Sequence, residues 1–549
     1  MLPNSDIYEE LYRDFRWQIP AKFNIGVAIS DAWAERDPER ICLQHFSPDS
    51  AYRSLTYGAL AGRSSAFAAG LTAHGVKPGD RVAILLPQGF EAAIAHAAIY
   101  KLGAIALPLA LLFGVEALEY RLRDAEATAI VTNRFGYQRV AAIRGHLPGL
   151  RLIVLADDEE LPGTVRFDRL TEGEGRFVAA DTTPDDPALM IYTSGTTGPP
   201  KGALHGHRVL LGHLPGFQFH HHFLPQPGDR MWTPADWAWA GGLLNALLPS
   251  LLFGVPVVSS PAQKFDPHMA FRIMEEMDVR NAFIPPTALR LLKSVDQPRA
   301  RYALNLRTIG SAGEALGRET FEWAKTALGI EVSEFYGQTE CNIVISSAAD
   351  LGVLKPCSMG KAAPGHEVAI IDDKGRVLPP GTVGQVAVKR PDPVMFLGYW
   401  RNEKATEAKF IGDWMTTGDQ GVMDAEGYFT FFGRDDDVIT SSGYRIGPGE
   451  IEDCLAGHPD VQLAAVVGKP DPIRTEIVKA YVVLRPGAAA DRETAAAIRD
   501  WVKTRLSMHE YPREIDFVDS LPLTTSGKVI RRLLRERAAA EVSAGSGNT

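Results

Sequence analysis

Cysteine is scarce in this chain: there are four in 549 residues, Cys42, Cys341, Cys357 and Cys454. They are too few and too scattered for a disulfide framework and lack metal-binding spacing, which fits a reducing cytoplasm, the expected location. Basic charge is also in deficit, with 57 Lys and Arg against 67 Asp and Glu and a net charge of -10. That argues against a general polyanion-binding face, so nucleic acid is not an expected partner and a nucleotide would be held in a local site. Long apolar runs are missing. The most apolar stretch, residues 241–258, is interrupted by Asn245, Pro249, Ser250, Gly254 and Pro256, which predicts core packing and no membrane span. The N-terminal segment MLPNSDIYEELYRDF carries acids and no apolar core of the secretory kind. No internal repeat is visible.

What is present is an alternation. Apolar runs such as RVAILLP, AIALPLA, TAIVTN, RLIVLAD and ALMIYTSG are interleaved with helical patterns such as EAAIAHAAIYKLG. This is the pattern of α/β units with buried, mostly parallel strands, whose chemistry sits at strand ends. From about residue 365 the texture changes to EVAIIDDKGRVLPPGTVGQVAVKRP, strands separated by Asp/Gly and Pro/Gly turns. The expected organisation is a large N-terminal domain of α/β layers, residues 1–433, with an antiparallel β subdomain at about 365–433. A small, mobile α+β C-terminal domain follows at 434–549, and its last dozen residues read as a mobile tail.

Residues 192–202 read YTSGTTGPPKG directly after ALMI. Gly195, Gly198 and Gly202 allow tight turning and close approach of backbone N–H groups to anionic oxygens; Ser194, Thr196 and Thr197 add short donors, and Lys201 adds a mobile charge. The order differs from a Walker-type loop, because the fifth residue after Gly195 is Pro200 and Gly202 follows Lys201. Four further polar, turn-rich segments follow: EFYGQTE at 334–340, WMTTGD at 414–419, GRDDDVITSSGYRI at 433–446 and PLTTSGK at 522–528.

In this order and spacing the five segments resemble the acid-activating adenylate-forming (AMP-binding) enzymes: acyl-CoA synthetases, luciferases and the adenylation domains of peptide synthetases. The resemblance implies an AMP-forming acyl-CoA synthetase of the acetyl- and medium-chain type, using a carboxylic acid, ATP, Mg²⁺ and coenzyme A. By motif match, Thr193, Ser194, Gly195, Thr196, Thr197, Gly198 and Lys201 would hold the departing phosphates. Glu334, Phe335, Tyr336, Gly337 and Gln338 would line the nucleotide, with Tyr336 against adenine, Thr339 at the α-phosphate and Glu340 at the metal. Gly313, Glu314 and Ala315 would pass the base, and Asp419 and Arg434 would meet the ribose. Lys528 resembles the family lysine that bridges carboxylate and α-phosphate, and Asp436 the hinge. Ser442, Gly443 and Tyr444 would line the pantetheine tunnel; Arg474 and Tyr511-Pro512-Arg513 match CoA-contacting positions, and Arg445 matches one that lies by the acyl phosphate in medium-chain acyl-CoA synthetases.

The acid pocket is expected from Trp237 and Trp239 within WTPADWAWAGG and from Gly337. Acetyl-CoA synthetases carry a tryptophan where Gly337 stands, so its loss predicts room for a short-to-medium or branched monocarboxylic acid larger than acetate. Cys341-Asn342 depart from the common Thr-Gly and put the neighbouring pocket wall in question, while a nucleophilic role for Cys341 is unnecessary once adenylate activates the acid. His220, His221 and His222 cannot all point at one ion and read as a solvated loop. Two alternatives stand beside the main reading. A stand-alone adenylation enzyme could load a separate carrier protein: Asp236 superficially resembles an ammonium-binding acid, and the 21 residues after Lys528 leave no room for a fused carrier. A non-catalytic nucleotide sensor would not need Lys528, the hinge and the CoA arginines together. The segment from Pro522 to Lys528 resembles an acetylation context, which implies a lysine acetyltransferase and deacetylase acting on Lys528, and a homo-oligomer is left open.

Overall fold

The computed structural model describes residues 1–3, 5–48, 51–172, 177–193, 199–260, 265–434, 437–441, 444–472, 474–506, 510–524 and 528–545. Arg81–Leu85, Ile105–Pro108, Ala127–Thr132 and Leu152–Leu155 pair in parallel, and their nearly continuous apolar composition is explained by burial on both faces. Helix Phe90–Leu102 covers them with an alanine-rich surface that is buried almost throughout. Pro187–Thr193 adds to this sheet beside Ile105–Pro108 and returns antiparallel as Lys201–Gly206, with Thr193 opposite Lys201. The glycine- and hydroxyl-rich loop therefore joins the two strands of a hairpin.

A second sheet places Thr308–Ser311 parallel to Ser333–Gln338, which turns back antiparallel as Cys341–Ser346. The segments SAGEALG and EFYGQTE thus leave neighbouring strands at the same end, where open α/β sheets place ligands. In a third, antiparallel sheet, Trp414–Met423 pairs with Gly384–Lys389 and Phe429–Arg434, and Asp419 faces Arg434 in register. The fourth sheet is built on the long hairpin Val461–Asp471 and Thr475–Leu484, with Glu514–Phe517 parallel to the latter. Among the described residues, no helix is long and apolar enough to cross a membrane.

Two expectations are corrected. His220 and His221 are fully buried, not part of a solvated loop. They close helix Arg208–His220 in the interior, where the His220 ring stacks on Phe335 at 4.3 Å and His221 Nδ1 pairs with Thr308 Oγ1 at 2.8 Å. Burial lowers the His220 pKa to about 3, so it stays neutral. His222 is half-buried, 3.7 Å from Asp350. No group of three or more metal donors occurs among the described residues. The presumed mobile tail is a helix, Arg531–Gly545, because Leu534 and Ala538 are buried against the small-domain sheet and Glu541 accepts from Lys469 at 3.0 Å and also from Lys479. Residues 546–549 lie outside the described residues.

Candidate active site

Strand Ser333–Gln338 separates core from cleft by its alternation. Phe335 points inward, 2% exposed, against His220 and Phe283. On the other face Tyr336 Oη and Gln338 Nε2 both donate to Asp419 Oδ2, at 2.6 and 2.7 Å, and Gln338 also donates to the Thr417 carbonyl at 2.9 Å. Arg434 Nε stands 3.7 Å from Asp419 Oδ1. Burial raises the Asp419 pKa, while Arg434, Tyr336 and Gln338 pull it back. One oxygen is thus saturated by neutral donors, and the other faces a cation. Such a carboxylate is suited to accept from vicinal hydroxyls.

Lys528 approaches this wall from the small domain. A Cβ on Gly313 would stand 3.5 Å from Lys528 Cε and 3.8 Å from Nζ, and Gly313 has φ +101°. The backbone on either side of the lysine is cross-linked: Thr524 N donates to the Lys528 carbonyl at 2.7 Å, Lys528 N donates to Thr524 Oγ1 at 3.0 Å, and Ile530 N donates to the Pro522 carbonyl at 2.8 Å. Lys528 is open to solvent along the cleft, yet walls on either side remove much of its hydration. That desolvation lowers its pKa, opposed by Glu314 and Asp419 and reinforced by Arg434. Its Nζ makes no hydrogen bond or ion pair with any described residue.

The neighbouring segment is pinned. Glu314 accepts from Thr287 Oγ1 at 2.8 Å and from Arg290 at 3.1 Å, and Arg290 also donates to the Ala315 carbonyl at 3.0 Å. Glu314 therefore braces the backbone with its carboxylate already engaged. Glu334 is buried and accepts from Leu316 N at 3.2 Å; burial lifts its pKa to about 8.

Ser194, Gly195, Thr196, Thr197 and Gly198 lie outside the described residues. At the feet of their hairpin, Thr193 Oγ1 donates to the Lys201 carbonyl at 3.4 Å, and Lys201 Nζ lies 5.0 Å from the centre of the Tyr399 ring. Tyr399 Oη donates to Glu340, whose main-chain carbonyl accepts from Phe396 N at 2.8 Å. Glu340 is 7% exposed and follows the half-buried Thr339. Tyr399 thus links the phosphate hairpin to Glu340. Sequence reasoning missed it, and the only available signal was the aromatic run FLGYW.

Around the expected acid pocket, Trp239 is half-buried and meets Phe113 edge to face at 5.6 Å, whereas Trp237 is 3% exposed in the main core. Asp236 accepts from Ala238 N at 3.0 Å, and burial raises its pKa to about 6. Gly337 does more than omit a side chain. It sits at a bulge in its hairpin, where a Cβ would stand 2.6 Å from Asn342 Cα and Ile343 N, so the direction a side chain would take is filled by main chain. Asn342 Nδ2 donates to Asn245 Oδ1 at 2.5 Å, forming a buried amide pair. Cys341 is fully buried, and burial pushes its thiol pKa up, which leaves it protonated and unreactive.

Asp436, Ser442 and Gly443 lie outside the described residues, as do the side chains of Tyr444 and Arg445. Arg474 N donates to Asp471 Oδ1 at 2.8 Å, and the Arg513 guanidinium lies 5.0 Å from the Tyr511 ring centre, next to the buried Pro512. Among the described residues, no hydrogen bond or ion pair connects these groups to Asp419 or Lys528.

A lysine delivered from one sheet system to a carboxylate wall built by another, beside a phosphate-type hairpin, is the architecture of an adenylate-forming ligase. The chain belongs to the AMP-binding enzyme family: the family matches residues 30–400, and the AMP-binding enzyme C-terminal domain matches residues 450–528. It is similar to the mitochondrial acyl-coenzyme A synthetase ACSM2 of Rattus norvegicus, 34% identical over 95% of this chain and 92% of that protein. It is also similar to the acetyl-coenzyme A synthetase of Bacillus subtilis, 34% identical over 97% and 95%. Among solved structures, the anthranilate CoA ligase AuaEII in complex with anthranoyl-AMP superposes with a TM-score of 0.88 at 28% identity, covering 96% of this chain and 99% of that one. The protein is an acid–thiol ligase of the adenylate-forming acyl-CoA synthetase type, with ATP and CoA as its small-molecule substrates.

Proposed function

We propose that this enzyme activates a monocarboxylic acid larger than acetate, short-to-medium or branched, in two steps. A carboxylate oxygen attacks the α-phosphorus of ATP, forming the acyl-adenylate and expelling pyrophosphate; the CoA thiol then attacks the acyl carbon, loses its proton and expels AMP. The observation that carries the reading is the Lys528 Nζ beside Gly313, with no hydrogen-bond or ion-pair partner among the described residues and with Glu314 and Asp419 as the nearby carboxylates that favour its charge. A point charge there can neutralise two anions as they approach. Asp419 and Arg434 would hold the ribose in both steps, the hairpin at 193–201 would grip the leaving pyrophosphate, and Thr339 would meet the α-phosphate. Glu340, oriented by Tyr399, suits Mg²⁺, because this ion takes one or two carboxylates together with phosphate oxygens. When bound, the ion would neutralise phosphate charge. Arg474 and Tyr511-Pro512-Arg513 would receive CoA once the small domain has moved, with Asp436 as hinge.

The size assignment comes from the resemblance alone, because the main chain of Asn342 and Ile343 occupies the direction a side chain at Gly337 would take and the missing indole leaves no opening there. A second reading, an aromatic acid, is favoured by the Trp239–Phe113 edge and by the aromatic acid of the similar anthranilate ligase. Acetylation of Lys528 would remove its charge and stop the first step. The test is a panel of acids from acetate to octanoate, with branched acids, benzoate and anthranilate, scored for AMP with and without CoA. Acid-stimulated, CoA-dependent AMP from acids beyond acetate is expected. Preference for acetate refutes the size assignment. Acid-stimulated pyrophosphate release without CoA turnover points to a carrier-loading enzyme, and no acid-stimulated release at all points to a nucleotide sensor.

A further inference from the structure

Two small-domain residues straddle one short segment of the large domain, residues 313–318. Lys528 lies at its start, beside Gly313. Asp453, from helix Pro448–Ala456, lies at its end, where its Oδ2 accepts from Arg318 N at 2.9 Å. Its Oδ1 stands so close to Gly317 that a Cβ there would be 2.0 Å away, and Gly317 has φ +79°. Glycine at 317 thus provides both the backbone conformation and the space for the carboxylate. A second approach reinforces the contact: a Cβ on Gly457 would stand 3.2 Å from Glu319 Cγ. The segment between the two grips is stiff, because Arg290 and Thr287 tie down Glu314 and Arg290 holds the Ala315 carbonyl. Placement of Asp453 at one end therefore sets where Lys528 falls at the other.

The contact is also built to release. Burial is the largest influence on Asp453 and raises its pKa; the Arg318 N–H, Arg290 and Lys293 oppose that, and Glu319 adds to it. The carboxylate gives up water on docking and receives one hydrogen bond in return, so the hydration regained on undocking offsets part of what that hydrogen bond contributes.

We propose that Asp453 is a positioning residue for acyl-adenylate formation: by docking on Gly317–Arg318 it holds the small domain in the register that sets Lys528 at Gly313, and it detaches before thioester formation. This rests on the reading of Lys528 as the lysine of the first step. The test measures two half-reactions, acid-dependent ATP–pyrophosphate exchange and AMP release from supplied acyl-adenylate plus CoA, in wild type, Asp453→Ala, Asp453→Asn and Gly317→Ala. Hydrogen–deuterium exchange of the peptide covering residues 313–323 is read in parallel and requires no acid.

Asp453→Ala and Gly317→Ala are expected to slow the first half-reaction about tenfold, the loss expected for one hydrogen bond to a charged group, with the second within about twofold. Exchange at the Arg318 amide should accelerate in both, and Asp453→Asn, which keeps an acceptor, should recover most of the loss. Unchanged amide exchange in both alanine variants, or an equal fall in both half-reactions, overturns the proposal. Accelerated exchange in a protein whose wild type activates no acid would leave the docking contact standing and refute the Lys528 reading instead.

Discussion

Asp419 is held by neighbours on both sides, whereas Lys528 Nζ, across the same cleft, is held by none among the described residues. Tyr336 and Gln338 saturate one oxygen of Asp419 and Arg434 faces the other, all from strands of the large domain. Lys528 belongs to the small domain and meets the large domain at Gly313, which presents no side chain to it. The difference separates two tasks. A group that holds AMP through both steps gains from being fixed before substrate arrives, since preorganised dipoles cost no reorganisation during the reaction. A group needed for one step gains from being mounted on something that can leave.

The comparison breaks first at Lys528. Lys528→Ala should lower acid-dependent ATP–pyrophosphate exchange by about 10²–10³-fold, the scale for losing one transition-state charge partner, and leave thioester formation from supplied acyl-adenylate within about twofold. Equal loss in both steps would place the lysine in the wall. Asp419→Asn should weaken both steps together, by about 10–100-fold in kcat/KM for ATP or acyl-adenylate, because it removes the charge that faces Arg434. Tyr336→Phe removes one of two donors to the same oxygen and leaves Gln338 in place, so a rise of about 3–10-fold in KM for ATP is expected, with kcat nearly unchanged.

The strands and the cleft could be read from the chain because their signals are local. Apolar runs mark the buried strands, and the segments EFYGQTE and TTGD each carry their chemistry within a few residues. What escaped was made by long-range contacts. Tyr399 lies 59 residues from the Glu340 it orients, and Asp453 lies 135 residues from the amide it caps. The histidines after Gly216 resemble a polar loop until the fold encloses them, and Gly337 resembles a simple deletion until the opposing strand is seen to fill its space. The tail helix was obscured by its run of small residues, while the side chains it buries, Leu534 and Ala538, show as core only once the sheet is in place.

The smallest expected effect concerns stability. Glu334 is lifted from 4.5 to about 8 by burial, so at neutral pH the folded chain holds it as a neutral acid. Its contribution to stability is full below about 4.5, where the unfolded chain is also protonated, and is lost as pH rises through about 8. Glu334→Gln keeps the acceptor for Leu316 N and removes the titration, so it should raise the melting temperature by about a few degrees at pH 9 and change it little at pH 5. The opposite trend would mean that Glu334 is ionised in the folded protein.

The central claim is that a carboxylate oxygen of the acid attacks the α-phosphate of ATP. An acid labelled with ¹⁸O in both carboxylate oxygens, turned over with ATP and CoA, tests it directly by mass spectrometry of the AMP. Attack at the α-phosphate, followed by expulsion of AMP from the acyl carbon, should leave one ¹⁸O in each AMP formed. Unlabelled AMP, with the departing ¹⁸O found in pyrophosphate, phosphate or water, would contradict the account.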